Sequence, residues 1–322
     1  MPELCQTIDR IKVMETRRIG GDAGFEITVV GLGCNAFGRR IDQEATTKVI
    51  NGALDAGVTF FDTAEGYGDG RSEEYIGNAM KGRRDQVTLA TKVGYNMLHV
   101  EGRGRGSPEN IGIAIDLSLN KLNTDCIDLY QIHRPDPTTP IEDTLGTFND
   151  LRDKGKVRLF GCSNFSGDQL TEAIEVADKA GYQGFVTAQN KWNVLQRGIE
   201  EDLVPICKEN EIGILPYYPL EMGLLTGKYS RGKKAPKGSR LAGDARLSSA
   251  NYDQLEALED FAKSRGYDLL ALAISWLVSH KETVSVIAGA TRYEQMAKNV
   301  AGASWNMTQE DLIKIEKIVG FA

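Results

Sequence analysis

Cysteine is scarce in this chain and follows no pattern. Cys5, Cys34, Cys126, Cys162 and Cys207 are odd in number, widely spaced, and form no C-x-x-C pair. That excludes a disulfide framework and a zinc site, and it fits thiols kept reduced in the cytoplasm. Long apolar runs are also missing. Nothing approaches the ~18 residues of a membrane span, and Met1 to Arg18 is polar and mixed in charge, without the apolar centre of a signal peptide. There is no surplus of positive charge either. The 38 Lys and Arg are outnumbered by 45 Asp and Glu, giving a net charge of −7, which argues against nucleic acid or an acidic membrane face as a partner. No linker rich in proline, glycine and serine divides the chain. Its 322 residues, 41% hydrophobic and 26% charged, are therefore read as one domain spanning residues 1–322.

What the chain does have is alternation. Met14 to Ile19 and Glu26 to Val29 flank Gly20-Gly21-Asp22-Ala23-Gly24 and predict an opening hairpin. Apolar strand runs then follow at Thr28–Gly33, Val58–Phe61, Val87–Lys92, Ile127–Ile132, Val157–Gly161, Phe185–Ala188, Ile212–Pro216 and Val284–Ile287. Amphipathic helical patterns fill the gaps, with start and stop signals such as Ser72, Ser107-Pro108 and Ser166 at openings and Gly57 at an end. Two helical patterns, Tyr252–Lys263 and Leu269–Val278, lie between the last two strands, and Gln309–Val319 closes the chain. Eight strands, each followed by a helix, predict an α/β fold: a (β/α)8 TIM barrel with an N-terminal β-hairpin and extra C-terminal helices.

The first strand carries a misleading motif. Gly31-Leu32-Gly33-Cys34-Asn35-Ala36 matches the dinucleotide fingerprint G-x-G-x-x-A, but the fingerprint needs a helix to begin at those glycines. Here the helical pattern starts only near Asp42, so the segment reads as a glycine turn at a strand end whose backbone can approach a ligand.

In barrel enzymes the chemistry sits where strands meet the loops that follow them. Those positions hold Asp62 and Tyr67 after the second strand, Lys92 at the end of the third, and His133 at the end of the fourth. Taken singly, a strand-end lysine is more often paired surface, and a histidine or loop tyrosine is more often packing. Together they aim an acid, a cation, a phenol and one of only three histidines into one mouth. Asp62 would hold Lys92 charged, Lys92 would lower the pKa of Tyr67, and His133 would orient a carbonyl. The set can protonate a carbonyl oxygen but supplies no nucleophile, redox group or metal cage, so a nicotinamide hydride is the natural electron-pair donor.

These pieces resemble the aldo-keto reductase family, on its bacterial and potassium-channel-β-like branch. The matching segments are Phe61-Asp62-Thr63-Ala64-x-x-Tyr67-Gly68, Thr91-Lys92, His133-Arg134-Pro135-Asp136, Gly161-x-Ser163-Asn164-Phe165, Pro219-Leu220-x-x-Gly223 through Tyr229, and Gly289-Ala290 through Asn299. The resemblance implies a catalytic tetrad of Asp62, Tyr67, Lys92 and His133, and reduction of a small carbonyl substrate with NADPH in preference to NADH. It implies that Ser163, Asn164 and Gln189 grip the carboxamide and that Tyr217 stacks on the nicotinamide. Lys228 and Arg240 would close on the pyrophosphate from the long basic loop, while Thr291, Arg292, Gln295 and Asn299 would hold the adenosine phosphate. Gly33, Cys34, Asn35, Asp62, Pro219, Leu220, Gly223 and Gly289 complete the implied cofactor wall. The loop His99 to Gly106 would face substrate. A nucleotide-binding regulatory subunit, like the channel β subunits of that branch, is the alternative; a Schiff-base lyase acting through Lys92 would need that lysine neutral. Monomer and homo-oligomer are both compatible with the sequence.

Overall fold

The computed structural model describes residues 14–95 and 103–320. The first 13 residues and residues 96–102 of the loop after the third barrel strand therefore lie outside the described residues, and with them part of the expected substrate-facing loop. The chain opens with β1 (Thr16–Ile19) and β2 (Phe25–Thr28), an antiparallel hairpin. The alternation then runs β3 (Val30–Gly33), α1 (Gln43–Asp55), β4 (Phe60–Asp62), α2 (Arg71–Ala79), β5 (Thr88–Val93) and α3 (Pro108–Leu122). It continues with β6 (Ile127–Ile132), α4 (Ile141–Asp153), β7 (Val157–Ser163), α5 (Gly167–Ala180), β8 (Thr187–Gln189) and α6 (Leu203–Glu209). The remainder is β9 (Gly213–Ile214), α7 (Tyr252–Ser264), α8 (Leu269–Ser279), β10 (Val286–Gly289), α9 (Tyr293–Ala301) and α10 (Gln309–Val319).

Strands β3 to β9 pair in sequence order, all parallel, and β10 returns to β3. Closure between β9 and β10 is made by single bridges. Val284 donates to the Ile214 carbonyl at 2.9 Å and Ile287 to the Pro216 carbonyl at 3.0 Å. The result is the eight-stranded barrel that the alternation predicts, with every strand's C-terminal end at one mouth. The other end is covered by the hairpin, whose Ile19 and Ile27 pack with Phe60 of β4, Leu129 of β6, Leu159 of β7 and Leu215 just past β9. Arg17 fastens β1 by donating to the carbonyls of Val278 (2.7 Å), His280 (3.0 Å) and Thr283.

Helix starts follow local chemistry. Asp42, Ser107 and Ser166 cap α1, α3 and α5 by accepting from Ala45, Asn110 and Gln169. Ser72 departs from its expected role. The chain enters α2 through Asp69 and Gly70, both left-handed, so Gly70 is the cap and Ser72 lies inside the helix. Its hydroxyl instead donates to the Cys34 carbonyl at 3.0 Å and meets Thr63 Oγ1 at 2.8 Å, tying α2 to the β3 and β4 ends. Gly31 and Gly33 also differ from the expected turn, because they lie within β3. A Cβ on Gly31 would stand 2.8 Å from Ser285 Oγ and 2.9 Å from Phe60 Cδ1. Crowding inside the barrel, and not a ligand, requires that glycine.

Candidate active site

Asp62 is the last residue of β4, and Lys92 is next to last in the adjacent β5. Their side chains meet across the strands, with Lys92 Nζ 2.7 Å from Asp62 Oδ2 and 2.7 Å from the Thr63 carbonyl. Lys92 is 0% and Asp62 2% exposed. Burial alone would drive the ammonium's pKa down, but the charges and hydrogen bonds of Asp62 and Tyr67 outweigh it, and the pKa stands above the ordinary lysine value. Lys92 is therefore a fixed cation, which removes the condition a Schiff-base nucleophile needs. The other oxygen of Asp62 accepts from Gln189 Nε2 at 2.9 Å and Gln131 Nε2 at 3.2 Å. Gln131 was not anticipated from the sequence. The signal for it is a polar side chain in a strand whose six residues are all buried.

Tyr67 lies half-buried beside this pair, its ring centroid 5.1 Å from Lys92 Nζ. Desolvation raises the phenol's pKa, and the Lys92 charge pulls it back only in part. The expected net lowering by lysine is thus reversed, because burial outweighs the cation. The phenol stays protonated through the neutral range, as a proton donor must. His133 is 7% exposed and crosses Tyr67 edge to face at 5.8 Å, while the Tyr95 ring lies tilted against it at 4.8 Å. Burial, then the charges of Lys92 and Arg134, lower its pKa to about 2. It is a neutral imidazole, and its Nδ1 is buried without a hydrogen-bond partner.

A groove of about 1750 Å³ opens at this mouth, and Asp62, Tyr67 and His133 line it. Lys92 does not reach the wall; it acts from behind. Every residue of the expected cofactor wall lines the same groove, from Gly33, Cys34 and Asn35 through Ser163, Asn164, Gln189, Tyr217, Pro219, Leu220, Gly223, Lys228 and Arg240 to Gly289, Thr291, Arg292, Gln295 and Asn299. Several already hold one another. Ser163 Oγ donates to the Gln189 carbonyl at 2.9 Å, and Asn164 Nδ2 to the His133 carbonyl at 2.9 Å. Tyr217 Oη donates to Asn164 Oδ1 at 2.7 Å. The Cys34 thiol is fully buried and turned to the Leu32 carbonyl, so it offers the groove only bulk. Gln295 Oε1 accepts from the backbone of Thr291 (2.7 Å) and Arg292 (3.2 Å), occupying amides at the start of α9.

The long basic segment between β9 and α7 crosses the groove as a strap. Leu241 is buried and its backbone donates to Tyr229 Oη at 3.1 Å, while Arg40 reaches the Gly238 carbonyl at 3.3 Å. Arg240 lies over the Tyr218 ring at 4.9 Å. Nine Lys and Arg line the groove against three Asp, which inverts the sign of the chain as a whole and makes the groove electropositive. Arg39, Arg40, Lys237 and Arg246 are among these and were missed in the sequence, because basic residues in polar loops look like ordinary surface. No cluster of His, Cys, Asp and Glu able to hold a metal occurs among the described residues.

Residues 29–319 match the family model of the aldo/keto reductase family. The chain belongs to that family. An aldo-keto reductase of Bacillus subtilis is 34% identical over 309 residues, covering 92% of each chain. A probable voltage-gated potassium channel subunit beta of Oryza sativa is 33% identical over 313 residues, covering 93% of this chain and 95% of its own. Among solved structures, a glycerol dehydrogenase of Gluconobacter oxydans superposes with a TM-score of 0.81 at 29% identity over 95% of each chain. The protein is thus an oxidoreductase of a family that generally reduces carbonyls with nicotinamide cofactors. Among the described residues, no helix is long and apolar enough to cross a membrane.

Proposed function

We propose that the protein reduces aldehydes or ketones to alcohols with NADPH, using Tyr67 as general acid. The observation that carries this reading is the buried Lys92–Asp62 pair beside a protonated Tyr67 and a neutral His133. Lys92 stabilises the phenolate that remains once Tyr67 has given its proton to the carbonyl oxygen. Asp62 and Thr63 keep the ammonium oriented, and Gln131 and Gln189 keep Asp62 oriented. His133, uncharged, directs a ring nitrogen to the substrate oxygen without competing for the proton.

The donor set of the groove suits a dinucleotide phosphate. Its cations outnumber its acids. Ser163, Asn164 and Gln189 would hold the carboxamide, Tyr217 the nicotinamide face, Lys228 and Arg240 the pyrophosphate. Arg292 and Thr291 would take the adenosine phosphate, backed by Gln295 and Asn299. Bound there, a reduced nicotinamide supplies the hydride that these side chains lack.

The test is loss of NADPH absorbance across a panel of aldehydes, ketones and sugars. Tyr67→Phe should lower turnover by ~10²–10⁴ with little change in cofactor affinity. A variant that keeps most of its turnover when chemistry limits the rate overturns the role of Tyr67. A regulatory nucleotide-binding subunit is the second reading, favoured by the likeness to the Oryza sativa protein. It would bind NADPH tightly and turn over no carbonyl in the panel.

A further inference from the structure

One cation of the groove stands apart from those assigned to the cofactor. Arg134 follows His133 directly, is exposed at the mouth, and lines the groove. Its guanidinium lies 4.9 Å from the Tyr95 ring centroid, and that ring lies 4.8 Å from His133. Its charge reaches two groove residues at once. At His133 burial lowers the pKa and Arg134 adds to the effect, while at Tyr217 burial raises the pKa and Arg134 opposes it. The guanidinium therefore sits within electrostatic reach of both the imidazole and the Tyr217 ring, at the reacting end of the groove.

The acids next to Arg134 in the chain or along the groove are engaged elsewhere. Asp136, two residues on, accepts from the backbone of Gly106 at 2.8 Å and Thr138 at 3.0 Å, and from the hydroxyls of Thr138 at 2.7 Å and Thr139 at 2.8 Å. Asp69 is paired with Arg71 at 3.3 Å. Asp62 is saturated by Lys92, Gln131 and Gln189. Arg134 is steadied by a cation–π contact and forms no ion pair among the described residues. A planar fork of donors held on an aromatic face, with no paired acid among the described residues, suits an oxyanion brought by a ligand.

We propose that Arg134 recognises an oxyanion on the carbonyl substrate, so that anionic aldehydes or ketones are preferred over neutral ones of the same shape. This rests on the reductase reading above. The substrate's carbonyl would face Tyr67 and His133, with its charged end turned outward to Arg134 over the Tyr95 ring.

The experiment compares para-formylbenzoate with para-formylbenzamide, which match in shape and differ in charge, and adds para-formylphenyl phosphate as a second oxyanion. Both kcat/KM with NADPH and affinity for the protein–NADP+ complex by calorimetry are measured, in wild type, Arg134→Met and Arg134→Lys. The wild type should favour the carboxylate by about two- to fivefold, as one exposed and partly screened charge contact allows. Arg134→Met should remove that ratio chiefly through KM, and Arg134→Lys should keep part of it. The ratio should shrink as salt rises. A preference for the phosphate that also depends on Arg134 supports the inference and names the group. Equal values for carboxylate and amide in the wild type, or equal losses for both in Arg134→Met, overturn it. Binding of the carboxylate that depends on Arg134 without any turnover would keep this inference and sink the reductase reading, whereas turnover with no charge preference would do the reverse.

Discussion

His133 is a base that the fold keeps uncharged, and that carries a cost at low pH. Its pKa falls from 6.5 in the unfolded chain to about 2 in the fold. Between those values the unfolded chain holds a proton that the folded chain does not, so stability rises with pH across that window and is lost as pH falls below about 6.5. The buried carboxyls of Glu65 and Glu73, whose pKa values desolvation raises, act in the opposite direction. His133→Asn removes only the first effect. The variant should therefore lose less Tm than the wild type between about pH 7 and about pH 5, read by calorimetry at matched ionic strength. Parallel Tm curves would mean that the imidazole is not held neutral. That Asp62, Tyr67, Lys92 and His133 come together was legible in the sequence, because each lies at or just past a strand end, where side chains converge by topology. Gln131 was not, because it lies inside a strand and not at its end, and a polar residue there is not marked out from its strand neighbours Asp128 and Tyr130. The direction of the Tyr67 shift was also illegible, since a sequence names the neighbouring charge and not the depth of burial.

At the scale of elements, the helices were read more surely than the shortest strands. α3, α5 and α10 begin where the sequence placed them, since Ser107-Pro108, Ser166 and Thr308 make local hydrogen bonds that need no distant partner. β9 contracts to two residues and β10 slides two places toward its loop relative to the apolar runs that predict them. The barrel closes there through single bridges, so the pairing follows the partner strand and not the local pattern. The start of α9 carries the cofactor preference proposed above. Arg292 caps that helix with an exposed side chain, while Gln295 satisfies the first amides, which leaves the guanidinium to meet a phosphate. Arg292→Ala should weaken NADPH binding by about tenfold and NADH binding little, as titrated by fluorescence quenching. Equal losses for the two cofactors would show that the extra phosphate is not read at α9.

For the whole molecule, the alternation of strands and helices made the architecture legible, whereas only part of the charge sorting was: Lys228, Arg240 and Arg292 were expected at the groove, and Arg39, Arg40, Lys237 and Arg246 were not. A chain of net charge −7 lines one groove with cations that are scattered through at least five separate segments. If the barrel is one domain, heating should give a single calorimetric transition whose van't Hoff and calorimetric enthalpies agree; two resolved transitions would divide it. The ring has a further consequence, and it concerns the order of synthesis. β3 leaves the ribosome early, yet one of its two neighbours is β10, more than 250 residues later. Until that last strand is made, the growing chain presents an open sheet with an unpaired flank on β3, and a bare flank invites pairing with other chains. The nascent protein is therefore most exposed to aggregation, and most in need of a chaperone, in the interval just before residue 289 emerges.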